Sequence, residues 1–253
     1  QRINMDRLRR QRLEKAYKAL AESEADALIL FDCNNVRYTT STWLGEWARD
    51  KLMRYAVLIP DETPYLFDFG SAVPHKQQMC PWVSDTVFPS STTMRGSIPP
   101  ESKIEDEVIE FLATTLKRHG LSKCKIGVDL LEVPILRGLQ ANGLTIVDGQ
   151  KIMLEARKLK TEDEITLIEY ATATVDAAYS EVVRNLRAGV RENELVAIVN
   201  DVCYRLGCDH VEAVNCISGP RCSPHPHNFA DRLIRPGEFV YMDVIAAFCG
   251  YRT

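Results

Sequence analysis

Short apolar segments with strand character alternate with helical segments over the first 150 residues, and this order constrains the fold more than any other feature. The apolar runs are bounded by turn residues and occupy positions 26–32, 54–60, 64–69, 125–129 and 144–148. Helical periodicity occupies positions 6–23, 104–119 and 133–142. Asn34 and Asn35 predict a turn that leads into 36–40, and residues 89–100 have the composition of a loop. Such alternation predicts an α/β layer arrangement.

The pattern changes at Thr161, where Thr161 and Glu164 form a capping box ahead of a long amphipathic helix that extends to about residue 186. A second helix is predicted from 192 to 206, ending at Gly207. A strand at 211–217, a Pro/His loop at 219–228 and a strand at 239–248 follow. The change predicts two domains.

Composition restricts the function classes. Of the 253 residues, 45% are hydrophobic and 26% are charged, with a net charge of −4, which is typical of a soluble globular protein. The one basic run, residues 7–12, has helical periodicity and is interpreted as the solvated face of a helix, so we expect no nucleic-acid partner. No segment approaches the roughly 18 apolar residues of a membrane span, so we expect no membrane partner. Eight cysteines without a C-x-x-C pair, together with a polar N-terminus, predict a reduced, cytoplasmic location.

Four motifs occur in order after residue 156. Residues 157–165 open the long helix, and residues 186–195 link it to the second one. Ser218-Gly219-Pro220 then leads a loop that contains His225, and residues 236–243 end on Asp243, before Gly250-Tyr251. Together these motifs resemble the creatinase/prolidase-like (pita-bread, M24 peptidase) superfamily. The resemblance is closest to the Xaa-Pro peptidase-like and dimethylsulfoniopropionate lyase branch.

The resemblance implies a fold for each part of the chain. Residues 1–154 would form the creatinase/prolidase N-terminal α/β domain. Residues 155–253 would form only the N-terminal half of an α+β pita-bread catalytic domain. Since the other half would complete the site and cover apolar strand edges, we expect the chain on its own to be inactive.

The resemblance also implies metal chemistry. Superfamily members hold two divalent metal ions (Mn, Zn, Fe or Co) and use a bridging water as the nucleophile. Asp243 matches the first metal-binding aspartate. The second aspartate would be residue 254, and a histidine and two glutamates would lie further on. If those ligands are absent, no metal cofactor is expected.

His225 precedes Asp243 by eighteen residues, the spacing at which the superfamily places a substrate-side histidine that assists proton transfer. His227 is the alternative for this role. Arg221 and Arg232 are candidates for orienting an anionic substrate, although surface arginines without a ligand are commoner.

Other polar and aromatic residues have two interpretations. Residues 209–212 suggest metal ligands, but strand alternation favours a polar strand edge. Cys222 would be a nucleophile only beside a base such as His225. Tyr38, Trp43 and Trp47 either pack in the core or line the substrate pocket of a partner subunit.

Four functions remain open. The first is a metal-dependent, homodimeric hydrolase of the Xaa-Pro peptidase/prolidase type, which acts on a dipeptide or another small C–N bonded substrate. The second is a dimethylsulfoniopropionate-type lyase, in which an acidic side chain acts as general base. The third is a metal-free, creatinase-like amidinohydrolase. The fourth is a pita-bread relative that binds a ligand without catalysis.

Overall fold

The computed structural model describes residues 3–43, 52–90 and 99–253. Contacts divide the chain into an N-terminal unit, Asn4–Lys160, and a C-terminal unit, Thr161–Thr253. The predicted loop at 89–100 lies mostly outside the described residues, and so does Trp47.

The N-terminal unit is built on one six-stranded sheet. Its strands are β1 (Ala27–Leu30), β2 (Tyr55–Leu58), β3 (Tyr65–Asp68), β4 (Val87–Pro89), β5 (Lys125–Val128) and β6 (Thr145–Asp148). The strand order is β4-β3-β2-β1-β5-β6. Antiparallel pairing joins β1 to β2 and β2 to β3, whereas β1–β5, β5–β6 and β3–β4 are parallel. The predicted α/β arrangement is confirmed.

Six α-helices belong to the described part of this unit: α1 (Met5–Ala21), α2 (Cys33–Thr40), α3 (Val73–Met79), α4 (Ile104–Arg118), α5 (Val133–Ala141) and α6 (Gly149–Lys158). Strand β1 is buried on both faces and alternates between two cores. Ile29 belongs to the core that contains Leu112 of α4, and Leu28 belongs to the core that contains Leu20 of α1. The sheet therefore lies between two helical layers.

The predicted turn at Asn34 and Asn35 is wrong, because these residues lie in α2. Asp32 caps this helix: its carboxylate accepts the main-chain N–H of Asn34 at 2.9 Å and of Asn35 at 3.1 Å. The Asn35 side-chain amide donates to the buried Asp129 carboxylate at 2.8 Å. An N-cap and a buried partner thus override the turn preference of asparagine.

The basic run on α1 is only partly solvated. Arg12 is 4% exposed and donates to the Ser41 hydroxyl at 2.7 Å, while Arg9 lies 3.9 Å from the centre of the Trp82 ring. Arginine stacks on aromatic rings and buries its aliphatic stem readily, which is why these cations pack inward.

Helix α6 was not predicted from the sequence. The Asp148 carboxylate caps it by accepting from Lys151 N–H at 3.0 Å. Gly149 lies against strand β5, where a Cβ atom would come within 2.6 Å of the Gly127 carbonyl carbon. The predicted domain boundary between residues 154 and 155 falls inside α6.

The C-terminal unit contains helices α7 (Glu162–Asn185) and α8 (Glu192–Arg205) and strands β7 (His210–Ser218), β8 (Val240–Phe248) and β9 (Tyr251–Arg252). Both hydrogen bonds of the predicted capping box at Thr161 and Glu164 are present. The three strands form an antiparallel sheet in the order β7-β8-β9. Both predicted helices and the strand that carries Asp243 are confirmed. Among the described residues, no helix is long and apolar enough to cross a membrane.

Candidate functional site

The two faces of the C-terminal sheet differ in character. Val214 and Val244 pack with Leu195 of α8 in the core of this unit. Because side chains alternate along a strand, Asn215, Tyr241 and Asp243 point to the opposite side, which we call the site face. The register places Asn215 opposite Asp243 across the β7–β8 pair.

Asp243 lies near the middle of β8 and is half-buried. Its carboxylate accepts a hydrogen bond from the Asn215 side-chain amide at 3.2 Å. The Tyr179 hydroxyl donates to the Met242 carbonyl at 3.3 Å, and burial, followed by the charge of Asp243, raises the pKa of Tyr179. The site face therefore carries the Asp243 carboxylate, and the neutral Asn215 amide donates a hydrogen bond to it.

His225 and His227 lie in the loop between β7 and β8. The His225 ring packs edge-on against Tyr241, with the ring centres 4.6 Å apart, and against His227 at 4.2 Å. His227 has a positive φ of 49°, which turns the chain directly after Pro226. Since Tyr241 and Asp243 are two positions apart on one strand, the His225 contact lies on the same face as Asp243.

Arg221 and Arg232 both form ion pairs with carboxylates. Arg221 pairs with Glu192, whose side chain is fully buried. Arg232 donates to the Glu238 carboxylate at 2.7 Å and to the Ser218 hydroxyl at 2.6 Å. Their substrate role stays a prediction, and any anionic substrate would have to compete with these two glutamates.

Gly219 is required beside this network. It has a φ of 55°, and a Cβ atom there would lie 2.5 Å from the Glu238 carboxylate and 3.1 Å from the Arg232 guanidinium. Glycine is the residue that combines a positive φ with such close approach. Because Gly219 has no side chain, the Arg232–Glu238 ion pair can pack against the main chain at the end of β7.

We expect Glu238 to make the stability of the C-terminal unit pH-dependent. Hydrogen bonds from Arg232 and from the Arg235 N–H lower the pKa of Glu238 from 4.5 to about 2. A lowered folded-state pKa contributes stability that is fully present above 4.5 and is lost as the pH falls towards 2. In thermal unfolding at neutral pH, Glu238→Gln should have a lower melting temperature than the wild type. The difference in melting temperature should shrink as the pH falls from 4.5 towards 2.

The exposed Glu169 on α7 offers the matched control, since no hydrogen bond or ion pair is described for it. Glu169→Gln should leave the pH dependence unchanged. A Glu238→Gln variant whose stability difference from the wild type is the same at pH 7 and at pH 2 would contradict this assignment.

The remaining candidates have structural partners. Glu212 pairs with Arg252, and the Asp209 carboxylate accepts from the Gly250 N–H. The Cys222 thiol lies 3.5 Å from the Ile217 carbonyl oxygen. In the N-terminal unit, Tyr38 is buried in the core, and the Trp43 carbonyl accepts from Lys76 at 2.8 Å. The interpretations of residues 209–212 as a polar strand edge and of Tyr38 as a core residue agree with these contacts.

Asp243 suits a metal ion by donor type, because a carboxylate oxygen is a ligand that hard divalent cations accept. Within the part of the chain that the structure describes, however, no group of three or more His, Cys, Asp or Glu side chains is close enough to hold a metal ion. Asp243 therefore fits a metal ion by donor type alone, and the described residues do not assemble a metal site around it.

Sequence reasoning missed three residues of this region: Asn215, Tyr241 and Glu192. Tyr241 could have been found from strand alternation, because it lies two positions before Asp243. Asn215 depends on the β7–β8 register, which the β-bulge between Val211 and Ala213 shifts. Glu192 appears in the sequence only as an ordinary acidic residue in the first turn of α8.

Solved structures share this architecture. Prolidase from Thermococcus sibiricus superposes with a TM-score of 0.75 at 20% identity, covering 97% of this chain and 63% of that one. The Xaa-Pro dipeptidase from Bacillus anthracis gives a TM-score of 0.73 at 18% identity, covering 96% and 62%. Residues 166–253 match the metallopeptidase family M24. These matches support a creatinase/prolidase-like M24 superfamily assignment, and the family model itself covers only the C-terminal unit.

Curated relatives extend the likeness across both units. The dimethylsulfoniopropionate lyase DddP of Roseovarius nubinhibens is 22% identical over 246 residues, covering 95% of this chain and 55% of that protein. The DddP of Roseobacter denitrificans is 25% identical over 222 residues, covering 85% and 49%. The chain spans about half the length of the curated relatives it matches.

Proposed function

We propose that the full-length protein is a metal-dependent hydrolase of the Xaa-Pro peptidase/prolidase type that acts on a small substrate with a C–N bond. The observation that carries this proposal is Asp243, a half-buried carboxylate on the site face within the segment that matches the M24 family. A carboxylate in mid-strand needs a cation or hydrogen-bond donors, and Asn215 supplies the one hydrogen bond described for it.

In this proposal, Asp243 binds a divalent ion together with ligands from outside the described residues. When bound, the ion supplies Lewis acidity and lowers the pKa of a coordinated water. His225 moves a proton at the reacting group, with its ring held by the edge-on contact with Tyr241. Dimeric assembly and a cytoplasmic location are part of the same proposal.

Two measurements on the full-length protein test it. The first is metal content by elemental analysis after purification without added metal. The second is hydrolysis of a panel of Xaa-Pro dipeptides after loading with Mn, Zn, Fe or Co. We expect bound divalent metal and metal-dependent cleavage. A metal-free protein that stays inert towards these peptides after loading would refute the proposal.

A lyase acting on dimethylsulfoniopropionate is the second candidate. It is favoured by the two relatives named as such lyases, which match along 85–95% of this chain. Incubation with this compound and direct detection of dimethyl sulfide and acrylate distinguishes the candidates. Release of both products without peptide cleavage would replace the hydrolase proposal with the lyase.

A further inference from the structure

We propose that Glu192 is a positioning residue: its buried carboxylate anchors both ends of the loop 219–229 and thereby holds the His225 imidazole on the site face. The inference rests on the proposed function only in giving His225 a catalytic purpose. The positioning itself is a property of the fold and is measured separately below.

One carboxylate receives donors from both sides of the loop. Glu192 is the first residue of α8, and its side chain is 0% exposed. One of its oxygens accepts from the main-chain N–H and from the hydroxyl of Ser218, both at 2.8 Å. The other accepts from the Ala230 N–H at 2.9 Å and from the Arg221 guanidinium. Ser218 ends β7, and Ala230 begins the return of the chain towards β8.

Main-chain hydrogen bonds also hold residues 230–232, which follow the loop, against the N-terminus of α8. Asn193 N–H donates to the Ala230 carbonyl and Glu192 N–H to the Arg232 carbonyl, both at 3.1 Å. Both ends of the loop 219–229 are therefore hydrogen-bonded to the N-terminus of α8. His225 lies within this span, and its ring contacts Tyr241 of β8.

The donor set explains why a carboxylate is required at position 192. An ionised carboxylate only accepts hydrogen bonds, so both of its oxygens satisfy donors from Ser218, Arg221 and Ala230. A glutamine of the same size keeps one accepting oxygen but turns an NH₂ group towards one pair of donors. Glu192→Gln therefore preserves volume and loses the anchor at one end of the loop.

The primary test is the NMR signal of the His225 ring at fixed pH in histidine-labelled full-length protein, assigned with His225→Gln. The Tyr241 ring, edge-on at 4.6 Å, displaces the ring-proton shifts of His225 in the wild type. In Glu192→Gln we expect these shifts to move towards those of a solvated histidine. Glu192→Asp, which keeps the carboxylate, should move them less.

Glu194→Gln is the matched control. Glu194 lies in the same first turn of α8, where its carboxylate accepts from the Arg191 N–H at 2.7 Å, and it has no hydrogen bond to the loop among those described. This variant should alter helix capping and leave the His225 signals unchanged. Ser218→Ala deletes one donor and keeps the Glu192 carboxylate. It should move the ring-proton shifts of His225 in the same direction as Glu192→Gln, by a smaller amount. This variant provides the test if Glu192→Gln does not fold.

Kinetics of the full-length enzyme give the second readout. Misplacing a catalytic group by about 1 Å costs on the order of 10²-fold in rate, so Glu192→Gln should lower kcat by about that factor with a smaller change in KM. Unchanged His225 signals in a folded Glu192→Gln variant would overturn the positioning role, whatever its stability. Altered signals in a protein without hydrolase activity would support the positioning role and refute only the proposed function.

Discussion

Replacing Asp243 with asparagine in the full-length protein is expected to lower kcat/KM for Xaa-Pro substrates by about 10³-fold, which corresponds to about 4 kcal/mol of transition-state stabilisation. The amide has nearly the same size but carries no charge, so it binds a divalent cation far more weakly. Elemental analysis of the purified variant should show reduced metal content in parallel with the lost activity.

The fold should tolerate Asp243→Asn, because Asp243 is half-buried and its described side-chain hydrogen bond comes from the neutral amide of Asn215. The exposed Asp201 on α8 provides the control, since Asp201→Asn removes a carboxylate whose partner is Arg205. This variant should keep full metal content and activity. Wild-type activity in Asp243→Asn would show that Asp243 does not have the proposed metal-binding role.

Replacing Asp68 with alanine is expected to lower the free energy of unfolding of the N-terminal unit by about 3–5 kcal/mol, because it leaves a buried charge without its partner. Asp68 and Arg54 have side chains that are 0% and 1% exposed, and their closest atoms are 3.4 Å apart. Lys76 lies nearby, and burial followed by the charge of Arg54 lowers the pKa of its amine. Without Asp68, the buried Arg54 guanidinium and the buried Lys76 amine lose the carboxylate that interacts with both.

Chemical denaturation of the single and double variants measures this effect. In Arg54→Met with Asp68→Leu the unpaired guanidinium is absent, and the remaining buried cation, Lys76, keeps its hydrogen bond to the Trp43 carbonyl. We therefore expect most of the lost stability to return. The exposed Glu24–Lys125 pair of the same unit is the comparison, because Glu24→Gln should have a much smaller effect. Equal losses for Asp68→Ala and Glu24→Gln would show that the buried pair contributes no more than a surface pair.

Much of the fold was predictable because it follows from local signals. A few neighbouring residues are enough to predict the capping box at Thr161 and Glu164, the helix end at Gly207 and the apolar runs of β1, β2 and β5. Helices α2 and α6 were not predicted, because the asparagines of α2 and Gly149 at the start of α6 have low helix propensity. Both helices are stabilised by aspartate caps and by packing on distant strands, which sequence periodicity does not report.

In the candidate site, too, the features set by neighbouring residues were predicted and the contacts between distant residues were not. Asp243 was predicted on its strand, whereas the metal-binding role proposed for it and the proton-transfer role proposed for His225 come from the resemblance to a family. The network of Glu192, Arg221 and Arg232 was not predicted, because the buried Glu192 carboxylate joins positions 26–38 residues away from it, and Arg232 enters the network through the Ser218 hydroxyl. Two arginines that the sequence offered for substrate binding proved to be paired with glutamates, and only the folded loop brings those partners together.

The parallel pairing of β1 with β5 has a consequence for how the protein is made. Ala27 pairs with Ile126, about 100 positions later in the chain, although β1 lies at the centre of its sheet. A ribosome that adds roughly 5–20 residues per second needs several seconds or more to supply that partner. During this interval the apolar edge of β1 has no native strand beside it, and such edges are sites of aggregation. We therefore expect the nascent N-terminal unit to be most prone to aggregation before β5 has emerged.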